Sequence, residues 1–80
     1  MHVAIELSLY PLADEFIPPI LDFIGRLRAR PGLAVVTNSM STQVSGEFDV
    51  VFGALRAEMA RSFEAKRRAV FVMKVLGGGD

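Results

Sequence analysis

Hydrophobic spacing switches period four times along this chain, and that pattern limits the fold more than any other feature. Val3, Ile5, Leu7 and Leu9 alternate with Ala4, Glu6, Ser8 and Tyr10, the period of a half-buried strand. Pro11 ends the alternation because it has no N–H to give a ladder. Over residues 14–30 the period lengthens: Ile17, Ile20, Ile24 and Leu27 recur at helical spacing, flanked by Phe16 and Phe23. Pro18 and Pro19 are expected in the first turn, where a missing N–H costs little. Asp14 suits the positive end of the helix dipole, and Pro31-Gly32 stops the helix. Residues 33–40 and 41–47 read as two strands with a turn near residues 39–41. Residues 48–65 are helical again, with Val51, Leu55, Met59 and Phe63 as the stripe and Asp49 as a cap or first-turn acid. "AVFVMKVL", residues 69–76, is an almost unbroken apolar strand, and "GGGD" reads as a frayed tail.

The order β-α-β-β-α-β is that of the split βαβ plan. It predicts an α+β, ferredoxin-like sandwich: a four-stranded antiparallel sheet with two helices on one face. Right-handed crossovers place the first and third strands in the centre. Eighty residues make one domain, 1–80. So short a chain buries only about 60% of its unfolded surface. Yet 51% of its residues are hydrophobic, which favours oligomerisation as a source of further burial.

Nine basic residues balance nine acidic ones. A nucleic-acid binder normally carries a basic excess, so none is expected as a partner. Without cysteine there is no disulfide, thiolate nucleophile or zinc–thiolate site, and no metal or cofactor is expected. No signal peptide is read at the start of the chain, and no apolar run approaches the ~20 residues of a membrane helix. The expectation is a cytoplasmic protein with no membrane insertion.

The helix-free face of the sheet carries the functional question. Aliphatic odd positions in the first strand leave Glu6, Ser8 and Tyr10 facing outward. In "NSMSTQVSG", residues 38–46, Thr42 and Val44 form the inward set and Ser41, Gln43 and Ser45 the outward one; Thr37 and Ser39 are expected to join the outward face. Met40 and Met59 read as core filling. Arg26, Arg28, Arg30, Arg67 and Arg68 read as solvated helix-end charges. The last strand is apolar on both sides apart from Lys74, and such a strand wants cover on both sides.

"LSLYPLADEFIPPI", "VVTNSMSTQVSGEFDVV" and the final apolar strand together resemble the YkoF-related thiamine/hydroxymethylpyrimidine-binding family, from about residue 5 to residue 76. The S-L-Y-P and S-T-x-x-x-G elements carry the likeness. The family's namesake holds two such units in one chain and this sequence holds one, so the resemblance implies a homodimer or homotetramer. It also implies thiamine or its hydroxymethylpyrimidine precursor as ligand. An aminopyrimidine offers donors and acceptors on a flat ring, which hydroxyls and amides match. Ser8, Tyr10, Ser41 and Thr42 are the leading ligand-binding candidates, with Asn38 and Gln43 beside them. Glu6, Tyr10 and Phe48 are candidates for a cationic thiazolium or a ring face. Glu6 has a second reading, an ion pair with Lys74. Successive strand residues point to opposite faces, so Ser41 and Thr42 line one site together only at a bend or bulge.

No sequence motif joins a nucleophile to a base, and the segment after the first strand has no arginine for a phosphate loop. Two readings remain: a non-catalytic small-molecule-binding protein, and an assembly or regulatory module whose open face only oligomerises.

Overall fold

The computed structural model describes residues 1–65 and 68–78; Lys66, Arg67, Gly79 and Asp80 lie outside them, and with them the expectations for Arg67 and for the end of the tail. The elements are β1 (His2–Pro11), α1 (Ile17–Arg28), β2 (Ala34–Thr37), β3 (Thr42–Glu47), α2 (Phe48–Glu64) and β4 (Ala69–Gly77). The strands lie in the order β2-β3-β1-β4, and every neighbouring pair is antiparallel. This is the ferredoxin-like α+β sandwich that the period switches predict. No helix among the described residues is long and apolar enough to cross a membrane.

The alternation in β1 becomes the core. Val3, Ile5, Leu7 and Leu9 are buried with Val44, Phe23, Leu27, Val51 and Leu55 between sheet and helices. On the other face, cross-strand pairing sets Glu6 between Gln43 and Lys74, and Ser8 beside Val72. That face exposes Val36, Val70, Val72 and Leu76 as well. Thr37 pairs with Thr42, which is on the covered side. Thr37 therefore does not join the open face; its hydroxyl accepts a hydrogen bond from Arg28 of α1 at 2.9 Å.

The first helix starts later than its pattern suggests. Its N-cap is Phe16, the two prolines sit at the start, and no acid lies in the first turn, so Asp14 precedes the helix instead of meeting its dipole. Ile17 is exposed, while Phe23, expected at the edge of the stripe, is fully buried and packs in a tilted arrangement against Phe71 of β4, ring centroids 5.0 Å apart. Rotating the stripe toward Phe23 buries the larger ring, which removes more apolar area from water. In α2 the cap is Glu47, whose carboxylate accepts from the N–H groups of Asp49 and Val50; Asp49 is the first-turn acid. Phe63, expected on the inner stripe, is half exposed and meets only the edge of Phe71, at 5.6 Å.

Arg26 and Arg30 are not solvated helix-end charges. Arg26 from α1 and Arg30 from just past its end both reach the buried Glu58 of α2, with Nε to carboxylate oxygen distances of 2.7 Å each. Arg26 also donates to the Glu58 carbonyl at 3.1 Å and to Ser62 Oγ at 2.9 Å, and pairs with Asp22. Burial pushes the Glu58 carboxyl up. The hydrogen bonds from Arg30 and Arg26, with the charges of Arg30 and Arg61, outweigh it and hold the group below the usual carboxylate range.

Candidate ligand-binding site

The two sequence motifs meet at one end of the sheet because two strands of unequal length lie side by side. Strand β1 pairs with β4 as far as Pro11, but with β3 only as far as Leu7, which faces Thr42. Past that point the chain leaves β3 and turns back to β2. The result is a notch between the end of β1, the turn at residues 38–41 and α1. Its volume is about 170 Å³, and Ser8, Tyr10, Asn38, Ser41 and Thr42 line it above a floor that includes Ile20, Phe23 and Ile24.

Asn38 builds the turn. Its side-chain oxygen accepts from the N–H groups of Met40 at 2.7 Å and Ser41 at 2.8 Å, and its own N–H donates to the Ser41 carbonyl at 3.0 Å. An Asx side chain that mimics a backbone turn explains why this hairpin needs no glycine. Asn38 thus shapes the notch as well as lining it. Met40, expected in the core, is 86% exposed at the rim, because two of its backbone groups are held outside the strand: the N–H by Asn38 and the carbonyl by a long, 3.4 Å hydrogen bond from Ser8 Oγ. Replacing Asn38 with alanine removes an acceptor shared by two N–H groups. The expected cost is about 1–2 kcal/mol, read as a lower urea midpoint with an unchanged m-value.

Ser41 and Thr42 both line the notch because β3 begins at Thr42 and Ser41 still belongs to the turn. The bend that the alternation rule demands is present. Thr42 itself is buried on the helix-covered side and reaches the notch through the end of the sheet. The glycine of the S-T-x-x-x-G element has a structural role. Gly46 adopts φ 155°, and a Cβ there would lie 2.6 Å from the Gly32 carbonyl oxygen, closer than real Cβ contacts come.

Three other candidates do not gather here. Glu6 and Gln43 face each other on the open face, in a shallow concavity of about 420 Å³ that also includes Val36, Ser45, Lys74 and Leu76. Glu6 stands 3.7 Å from Lys74 Nζ, the second of its two readings. Phe48 lies beyond the far end of β3, roughly 20 Å along the strand from Ser41, where its ring meets the edge of Phe52 at 5.0 Å. Among the described residues no group of three or more His, Cys, Asp or Glu comes together as metal ligands.

Several solved structures share this architecture. A protein from Streptococcus pneumoniae superposes with a TM-score of 0.86 at 25% identity, covering 98% of this chain and 88% of its own. A hypothetical protein from Methanocaldococcus jannascii gives 0.83 at 23% identity, over 99% and 82%. A Thermotoga maritima protein, provisionally assigned to thiamine biosynthesis or salvage, gives 0.85 at 16% identity, over 98% and 85%. No curated protein matches the chain. The family model for the YKOF-related family matches residues 2–75, and with nearly the whole chain inside that match the protein belongs to the YKOF-related family.

Proposed function

We propose that this protein is a non-catalytic, homo-oligomeric binder of thiamine or its hydroxymethylpyrimidine precursor, with the pyrimidine ring seated in the notch. One observation carries the reading: Ser8 and Tyr10 from one motif, and Asn38, Ser41 and Thr42 from the other, line a single concavity with an apolar floor. Neutral hydroxyls and amides over Ile20 and Phe23 suit a flat ring that is recognised by hydrogen bonds and not by net charge. A volume of about 170 Å³ corresponds to about six waters, the scale of one small ring. The second ring of thiamine then projects outward past Tyr10. The relative from Thermotoga maritima is itself provisionally assigned to thiamine biosynthesis or salvage. Family membership and the polar, acid-poor notch support binding over catalysis, since no nucleophile–base pair faces the ring.

A second reading rests on the open sheet face, where Val36, Val70, Val72 and Leu76 are all 45–71% exposed. Patches of this kind mark interaction surfaces, and an assembly module needs nothing more. Calorimetric titration separates the readings. Wild type binds hydroxymethylpyrimidine or thiamine, and Ser8→Ala and Ser41→Ala each weaken binding by about 1 kcal/mol, roughly fivefold, at unchanged oligomer size. No heat with either compound at millimolar concentration leaves the assembly module standing. Binding that both alanine variants match keeps the ligand and moves the site.

A further inference from the structure

The side chains account for only part of what the notch presents; its back wall is peptide. In an antiparallel sheet, the N–H and C=O of one residue face the same neighbouring strand, and successive residues alternate between neighbours. Two hydrogen bonds fix the phase of β1. Phe48 N–H, just after β3, donates to the Met1 carbonyl at 2.9 Å, and Leu12 N–H donates to the Arg68 carbonyl, just before β4, at 2.9 Å. Odd residues of β1 therefore address β3 and even residues address β4. Val3, Ile5 and Leu7 meet Gly46, Val44 and Thr42. Leu9 is the next odd residue, and the register carried two steps further sets Met40 opposite it. Met40 is not in β3; its N–H is held by Asn38 and its carbonyl by Ser8. The Leu9 N–H and C=O thus point into the notch with no strand across from them. Leu9 is one of the residues lining the notch, and a peptide without a ladder partner there is left for water or a ligand to satisfy.

We propose that the Leu9 peptide is the recognition edge of the site: a heteroaromatic ring lies in the plane of the sheet as a surrogate for a β3 residue, its ring nitrogen accepting from the Leu9 N–H and its adjacent amino group donating to the Leu9 carbonyl. The inference rests on the notch being the ring-binding site, and it names what that site selects. The ligand class is a ring with a hydrogen-bond acceptor next to a donor, as in a 4-aminopyrimidine. A lactam edge also matches once the ring is turned over. A ring whose amino group is dialkylated has lost the donor and is rejected, because it leaves a buried peptide carbonyl unpaired. In this orientation one ring face lies toward Ile20 and Ile24 of α1, and Asn38 acts as the positioning residue that keeps Met40 out of the strand.

Amide hydrogen exchange on ¹⁵N-labelled protein, combined with titration of 4-amino-2-methylpyrimidine and its 4-dimethylamino counterpart, tests this. In the free protein the Leu9 amide exchanges at least about tenfold faster than the Leu7 amide, which has a ladder partner. The amino compound slows Leu9 exchange and shifts its resonance, and the dimethylamino compound binds about tenfold or more weakly. If the amino compound binds and Ser8→Ala weakens it, yet Leu9 is unmoved and the dimethylamino ring binds equally well, the peptide edge is wrong and the site stands. Leu9 protection equal to that of Leu7 in the free protein overturns the geometry outright. If neither ring binds, the site reading falls and the edge falls with it.

Discussion

Replacing Glu58 with glutamine lowers the melting temperature of this protein by tens of degrees. The carboxylate is 2% exposed and each oxygen takes a guanidinium at 2.7 Å, with Arg61 at 3.6 Å. Glutamine keeps the shape and removes the charge, so Arg26 and Arg30 face each other at the helix interface with Asp22 as the nearest remaining counter-charge. Breaking a buried ion pair from one side costs about 3–5 kcal/mol. An 80-residue domain has about 4–12 kcal/mol in all, and each kcal/mol is worth roughly 4–8 °C at this size. The triple change Arg26→Met, Arg30→Leu, Glu58→Leu recovers most of the loss, since it leaves no buried charge stranded; Asp22 and Arg61, which lose their partners, are exposed to water. A Glu58→Gln protein that melts within about 3 °C of wild type refutes the account.

The same cluster fixes a pH dependence with a definite sign. The Glu58 carboxyl ionises below its ordinary range in the folded chain, so its contribution is fully present above the unfolded value of about 4.3. It is lost as pH falls through the lower, folded value. Wild-type stability therefore declines on acidification below about pH 5, and the difference between wild type and Glu58→Gln shrinks over the same window. Urea midpoints at a series of pH values measure it. A difference that stays constant down to strongly acid pH shows that the charge of Glu58 is not what stabilises.

The element order was legible in the sequence because each segment keeps one period long enough to be read. The interior of the first strand was legible residue by residue, since alternation leaves no choice of face. The cluster around Glu58 has a sequence signal that hydrophobic periodicity alone does not pick out. Glu58 sits seven residues after Val51, on the inward stripe of α2, and Arg26 and Arg30 are four residues apart, one in the last turn of α1 and one just past its end. A charge on an apolar stripe opposite two arginines is a buried pair, not a solvated face. The face of Thr37 is not legible from sequence because β2 is only four residues long, and a one-residue change of register exchanges its two faces. Met40 reads as core because methionine usually fills gaps; its position follows from the Asn38 turn, which no hydrophobic pattern encodes. The motifs named five residues that the notch does bring together. The Leu9 peptide carries no side-chain signature at all, since it follows from where β3 stops.

Placing glutamate at Val72 is expected to break the proposed oligomer into single chains. Val72 lies on the open face beside Ser8 and is 53% exposed in one chain, whereas its neighbour Phe71 is packed against Phe23 and Phe63. A charge at Val72 therefore leaves the chain's own core intact, within the roughly ±0.5 kcal/mol of an ordinary surface change. In an oligomer built on the open face it is buried without a partner, in each copy. Glu6 stands diagonally across and repels it, and Lys74 is already engaged with Glu6. An unpaired buried charge costs several kcal/mol, so two across a symmetric interface move a micromolar association beyond any working concentration. Sedimentation velocity of wild type at micromolar concentration then gives a multiple of the single-chain mass, and Val72→Glu gives the single-chain mass with an unchanged far-UV spectrum. Phe71→Glu is the contrasting variant: it unfolds the chain instead of dissociating it. A wild type that sediments as one chain, or a Val72→Glu variant that stays assembled, removes the open face from the interface. The notch opens at the end of the sheet beside Tyr10, on the rim of that same face. Loss of assembly is therefore expected to weaken ring binding only if the partner copy covers the notch, and titrating the single-chain variant decides whether one chain holds a complete site.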